Sequence, residues 1–229
     1  MLGIKVGNIH TYDDWGLILT KAEISFPEPK TETQDVPGMN GALDLTEALT
    51  DDIKYKNRNL TFTFSMIDPR SRWDVMLSTI ENYLHGKRMQ IILDSDKYYY
   101  YEGRCTVDSF TSDKAIGKLV IVCDAAPFKY ELEAGGAWIW DTFSFVDGVI
   151  SVTKFTVSGS ETITVMSGRE IVSPTFVCDS AFSVTYNDVT YKIPAGTTKV
   201  LDIRFKEGSN RLTLTGNGTI EVRYKGGSL

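Results

Sequence analysis

Residues 60–66, Leu-Thr-Phe-Thr-Phe-Ser-Met, alternate large apolar and hydroxyl side chains without a break. A period of two places Leu60, Phe62, Phe64 and Met66 on one face and Thr61, Thr63 and Ser65 on the other, the pattern of a half-buried antiparallel strand. What precedes this strand is equally restrictive. Val36-Pro37-Gly38-Met39-Asn40-Gly41 sets Pro-Gly and Asn-Gly three residues apart. The first suits a turn with positive φ at its glycine, and the second suits a hairpin reversal. The chain therefore enters its sheet through a turn-rich segment.

Strand signals continue along the chain. Residues 17–26 read as a strand, and Pro27 to Asp35 is a polar connection with two prolines and no large apolar residue, which fits an exposed arm or long loop. After the break at Asp68-Pro69, the apolar residues Trp73, Met76, Leu77, Ile80 and Leu84 recur with helical spacing. They predict one amphipathic helix over about 71–85, with Ser71 and Asp74 as its capping pair and Gly86 as its stop. Arg88 to Leu93 and Tyr98 to Val107 read as a hairpin joined by Asp94-Ser95-Asp96-Lys97, and Lys118 to Cys123 as a further strand. Leu132-Glu133-Ala134-Gly135-Gly136-Ala137 reads as a linker, which sets domains at 1–132 and 133–229.

The second domain is all short strands and turns: 155–157, 176–178, 182–186, 191–193, 201–205, 211–214 and 220–224. Their regular spacing predicts a β-sandwich or jelly roll. Leu201, Ile203 and Phe205 are expected to face inward, and Gly208-Ser209-Asn210 and Gly216-Asn217-Gly218 to be turns.

Signatures of chemistry are sparse. The 229 residues hold two histidines. His10 lies near the N-terminus, and His85 at the end of the helix is read as complementing the helix dipole. There is no Gly-x-Ser-x-Gly elbow, no His-Glu-x-x-His and no phosphate-binding glycine loop. Asp94 and Asp96 lack the glycine and distal glutamate of a calcium loop and are read as a solvated turn. Cys105, Cys123 and Cys178 have no CxxC spacing and are read as buried reduced thiols, with a disulfide or metal role as the lesser alternative. No cofactor is expected. The start of the chain lacks a basic region followed by an apolar run, and no stretch approaches a membrane span.

Two aromatic groups invite attention. Trp138 and Trp140 share one face of a strand with Phe143 nearby, suiting either a sugar platform or an interdomain seam. Tyr98 to Tyr101 must alternate between both faces of their strand, so cover on both sides, by the sheet and by another subunit, would explain them. The net charge of −6 is concentrated early: residues 13–52 hold ten acids against two lysines. Such a segment repels nucleic acid, because tight binding to DNA rests on Lys and Arg neutralising phosphates.

In their order along the chain, Pro37, Gly38, Gly41, Asp44-Leu45-Thr46, Tyr55, Arg58 and the strand Leu60 to Phe64 resemble the distal tail protein (Dit) family of long-tailed bacteriophages and prophages. The helix with Gly86-Lys87, Ile91 to Asp94, Tyr101 and Gly103-Arg104 fit as well. So do Pro194 to Thr198, Asp202-Ile203, Gly208-Ser209-Asn210 and Val222-Arg223-Tyr224 with Gly226.

The resemblance implies a mainly β chain of two β-sandwich domains. The first forms a hexameric ring and carries one helix and an extended hairpin arm; the second is galectin-like. It implies a virion structural protein and not an enzyme, assembled in the bacterial host cytoplasm, whose ring joins the tail tube to the baseplate or tip around the DNA channel. The implied partners are further copies of the chain, the tail tube protein and the tail-associated lysin or tip protein, with tape measure and receptor-binding proteins as further candidates; DNA passes through without specific binding. Residues assigned to the ring interface are Pro37, Gly38, Asn40, Gly41, Asp44, Leu45, Tyr99 and Tyr101, with Trp138 and Trp140 as candidate sugar or interdomain contacts. The alternative is a monomeric carbohydrate-binding module at the host surface using the Trp138 region. A cell-wall hydrolase, which would depend on one or two carboxylates, is a third class.

Overall fold

The computed structural model describes residues 3–48, 50, 52–66, 69–113, 116–132 and 154–229. The fold is mainly β and its named strand pairs are antiparallel, with a single α-helix among the described residues. It divides into two compact units, Met1–Lys129 and Tyr130–Ser228.

The first unit contains β1 (Ile4–Val6), β2 (Ile9–His10), β3 (Leu17–Ile24), β4 (Thr33–Asp35), β5 (Ala42–Asp44), β6 (Arg58–Met66), α1 (Trp73–Leu84), β7 (Lys87–Leu93), β8 (Asp96–Ser112) and β9 (Gly117–Ala125). Seven strands lie in the order β2-β1-β7-β8-β9-β6-β3, while β4 and β5 pair only with each other. The alternating strand is β6, held between β9 and β3, and its Leu60, Phe62, Phe64 and Met66 are buried. Each such side chain contributes about 1.5–3 kcal/mol by leaving water. Leu119, Ile121 and Cys123 of β9 join the same core.

The predicted helix forms, and Trp73, Ile80 and Leu84 are its buried stripe. Its start differs from expectation. Ser71 lies in a 3₁₀ turn, Arg70–Arg72, closed by the Arg72 N–H on the Pro69 carbonyl at 2.9 Å. Arg72 becomes the N-cap without a side-chain hydrogen bond, so the Ser71 cap does not form. Asp74 remains in the first turn, where a negative charge suits the dipole. At the other end His85 leaves helical geometry, and the Gly86 N–H donates to the Cys105 carbonyl at 2.8 Å. The His85 Nδ1 accepts the Val107 N–H at 3.1 Å, so this ring fastens the helix end to β8.

The second unit contains β10 (Tyr130–Glu131), β11 (Lys154–Ser167), β12 (Thr175–Cys178), β13 (Phe182–Tyr186), β14 (Val189–Ile193), β15 (Gly196–Lys199) and β16 (Gly208–Arg223). Its axis is β16. One edge pairs along its length with β11, and the other carries β13 opposite residues 213–215 and β12 opposite residues 220–223.

Here the sequence misleads three times. Neither Gly208-Ser209-Asn210 nor Gly216-Asn217-Gly218 is a turn: both lie within β16, the former paired with Val165, Met166 and Ser167 of β11. A Cβ at Gly216 would sit 2.7 Å from the Phe182 ring, and one at Gly218 would collide with the Asp179 carboxylate, so these glycines permit close packing against the strand. Likewise 201–205 is not a strand: Ile203 and Phe205 are buried, Leu201 is exposed, and Phe205 makes an isolated bridge to Val172.

Candidate assembly surface

Between β3 and β6 the chain builds an arm from its own backbone. The Lys30 N–H donates to the Lys54 carbonyl at 2.7 Å and the Lys56 N–H to the Glu28 carbonyl at 2.8 Å, flanking an isolated bridge between Pro29 and Tyr55. Further out, β4 and β5 pair Thr33 with Asp44, Gln34 with Leu43 and Asp35 with Ala42. The Met39 N–H closes on the Val36 carbonyl at 3.1 Å around Pro37-Gly38, with Gly38 at φ +88° as a type II turn requires. Gly41 at φ +80° then returns the chain to β5. Both turn signals thus serve one hairpin.

The base of the hairpin is cinched by Asp44, Leu45 and Thr46. The Asp44 Oδ1 accepts the Thr46 N–H at 2.9 Å, the Leu45 N–H donates to the Glu32 carbonyl at 2.8 Å, and the Thr46 hydroxyl accepts the Glu32 N–H at 3.1 Å. The hydrogen bonds from Thr46 hold the Asp44 carboxyl below the usual aspartate range. Pro37, Gly38, Asn40, Gly41 and Asp44 are exposed and Leu45 is half-buried.

The arm also carries apolar side chains with nothing to bury them. Phe26, two residues beyond β3, is 89% exposed, and Ile24, Val36, Met39 and Leu43 are exposed as well. Sequence reasoning found the arm's polar stretch but passed over Phe26 beside it. The signal was present: a phenylalanine directly before Pro27-Glu28-Pro29, at the end of the strand pattern.

Tyr99 and Tyr101 are placed differently from the arm. They are 4% and 5% exposed, and Tyr100 is buried too, so the chain itself covers both faces of this part of β8. The Lys129 ammonium lies 4.2 Å from the centre of the Tyr99 ring while pairing with Asp96 at 2.8 Å. The Arg58 guanidinium lies 5.5 Å from the centre of the Tyr101 ring. Asp94 receives the Gly3 N–H and contacts His10 Nε2 at 3.1 Å, so the two turn aspartates serve different partners. Among the described residues no group of three or more His, Cys, Asp or Glu could hold a metal ion. Trp138, Trp140 and Phe143 lie outside the described residues.

Of the acids in residues 13–52, Asp13, Asp14, Glu23, Glu28, Glu32, Asp35, Asp44 and Glu47 are exposed, and Asp52 is half-buried. Three of them lie on the arm's two-stranded part or its base: Glu32, Asp35 and Asp44. Among the described residues no helix is long and apolar enough to cross a membrane.

No family model and no curated protein sequence matches the chain. Comparison with solved structures does find a match, the crystal structure of the Dit protein (gp 19.1) of phage SPP1, described as a paradigm of the hub adsorption apparatus in phages infecting Gram-positive bacteria. The two are 15% identical, with a TM-score of 0.65, over 98% of this chain and 99% of that one. Such coverage spans both compact units and leaves no room for a large inserted module in either protein. This chain has the fold of SPP1 Dit along nearly its whole length.

Proposed function

We propose that the chain is a phage or prophage distal tail protein: a non-catalytic adaptor, six copies of which close into a ring joining the tail tube to the baseplate or tip. The observation that carries this reading is the correspondence with SPP1 Dit over nearly the full length of both chains. Residues 1–132 form the ring, and 133–229 form a galectin-like β-sandwich on its outside. The ring is the hub on which tail tube protein, tail-associated lysin or tip protein, and tape measure or receptor-binding proteins assemble. The protein works in the virion tail after assembly in the host cytoplasm.

The arm supports the ring. A projecting hairpin that meets a different surface on the next copy makes a heterologous contact, the kind that closes into a ring. Phe26, Val36, Met39 and Leu43 supply apolar surface that a neighbour would cover, each worth up to about 1.5–3 kcal/mol when fully buried. The interface residues are Pro37, Gly38, Asn40, Gly41, Asp44 and Leu45, while Tyr99 and Tyr101 are buried within the chain on β8. The acids of residues 13–52 line the channel, where repulsion lets DNA slide without sticking.

Light scattering coupled to size exclusion, with negative-stain images of the peak, tests the reading. The expected species has six times the 25.6 kDa chain mass and a central hole. A chain that stays monomeric at every concentration, alone and with its tail tube protein, overturns it. Replacing the exposed acids of 13–52 with their amides is expected to slow DNA ejection, and unchanged ejection removes the channel assignment.

A further inference from the structure

Cys105 on β8 and Cys123 on β9 are fully buried, stand directly opposite one another in the antiparallel register, and bring their sulfurs to 2.8 Å. A β-bulge creates this alignment. Near the turn, Ser109 faces Val120 and Ser112 faces Gly117, whereas past the irregularity between Val107 and Ser109 the register moves by one, so that Cys105 faces Cys123. Without the bulge Cys105 would stand opposite Asp124, and the two cysteines would point to opposite faces of the sheet. Directly opposed residues of an antiparallel pair have Cα atoms about 4.5 or 5.5 Å apart, and both spacings lie within the range that a disulfide spans. Cys178, by contrast, faces Gly196 and Ile220 and has no sulfur partner across either strand.

We propose that Cys105 and Cys123 form an intrachain cross-strand disulfide when the chain meets a low-molecular-weight disulfide oxidant. The thiolate of one cysteine attacks a sulfur of the oxidant, forming a mixed disulfide and expelling one small thiolate. The second cysteine then attacks the protein sulfur of the mixed disulfide, the Cys105–Cys123 bond forms, and the second small thiolate leaves. The protein gives up two electrons and two protons, and both small thiolates depart as thiols. In the closed sheet the hydrogen bond that the Cys123 thiol donates to the Cys105 sulfur, together with burial, raises the Cys123 pKa and keeps its thiol protonated, so exchange requires β8 and β9 to part or takes place before they pair. This cross-link does not depend on the ring assignment.

The test uses the full chain, reduced, unfolded in denaturant and refolded with oxidised glutathione, then unfolded again and alkylated for intact mass and peptide mapping. Before oxidation three thiols per chain should alkylate; afterwards only Cys178 should, with the peptides containing Cys105 and Cys123 joined and the chain lighter by two hydrogens. Full alkylation of all three after refolding in oxidant overturns the proposal. So does glutathione retained on Cys105 or Cys123, or a link to Cys178. A Cys178→Ala variant repeats the measurement with no thiol expected to remain, and two remaining thiols there refute it equally.

Discussion

Gly103 offers a sharp test of how β8 and β9 are packed, because its φ is ordinary and conformational freedom plays no part in the argument. It is buried between Met89 of β7 and Ala125 of β9. A Cβ there would sit 2.8 Å from the Ala125 Cα, 2.8 Å from the Asp124 carbonyl oxygen and 2.9 Å from the Ala125 Cβ. Opposed Cβ atoms in a sheet normally stand about 4.5–5.5 Å apart, so Gly103→Ala requires the two backbones to separate by an ångström or more. Overpacking of this kind costs about 1–3 kcal/mol, and the obstruction being backbone places it at the upper end. Against this stands about 0.4–1 kcal/mol from the lower entropy of the unfolded alanine chain. The net loss is about 2 kcal/mol, which for a unit of this size lowers Tm by about 8 °C. Differential scanning calorimetry reads the shift, and hydrogen exchange should place the loosening at the amides around Arg104 and Asp124. Adding Ala125→Gly should restore little, since it removes only one of the three close atoms. A Gly103→Ala protein within about 1 °C of the parent, or full rescue by Ala125→Gly, would refute the reasoning.

Three further outcomes are expected. Asn210, buried, accepts hydrogen bonds from the Tyr186 hydroxyl at 3.0 Å and the Lys206 N–H at 3.0 Å and donates to the Lys206 carbonyl at 2.8 Å, so Asn210→Ala should destabilise the second unit by about 2–4 kcal/mol; a loss under about 1 kcal/mol in chemical denaturation contradicts that role. Because the folded pKa of Asp44 is depressed by Thr46, its contribution is present above the ordinary aspartate range and is lost as pH falls through the folded value; the protection factor of the Thr46 amide should therefore drop below about pH 4, and flat protection would argue against it. Deleting residues 28–41 should abolish the ring in light scattering while leaving the far-ultraviolet strand signal, and a ring that survives the deletion removes the arm from the interface.

Much of the first unit could be read in the sequence because its signals are local. The β6 alternation, the α1 stripe and the Pro-Gly and Asn-Gly turns each depend on neighbours within a few residues, and burial confirms the first two while the backbone confirms the turns. What was hidden depends on partners far away in the chain. Gly216 and Gly218 have turn-like composition, yet they answer to Phe182 and Asp179 about 35 to 40 residues earlier. The facing of Cys105 and Cys123 turns on a single bulge that no composition announces. Tyr98 to Tyr101 suggested a missing subunit because the sequence could not show that their own chain covers them. The arm was legible as a polar, proline-bearing stretch, but the exposure of Phe26 required knowing that no strand of the first unit's sheet reaches it.

The central place of β16 sets the order in which the second unit can be made. Its partners β11, β12 and β13 all leave the ribosome earlier; β13 can pair with β14 and β12 with β15 before β16 exists, whereas β11 pairs with β16 and waits for it. A strand like β11 has no productive partner during synthesis and must stay soluble until β16 emerges, since distant pairings are slow and unpaired edges invite aggregation. The hydroxyl-rich outer side of β11, with Thr156, Ser158, Ser160, Thr162 and Thr164 exposed, suits that wait. A nascent chain arrested before Gly208 should hold β13–β14 and β12–β15 as separate pairs with β11 unpaired, and residues 208–223 should join the three pieces in one step as they arrive.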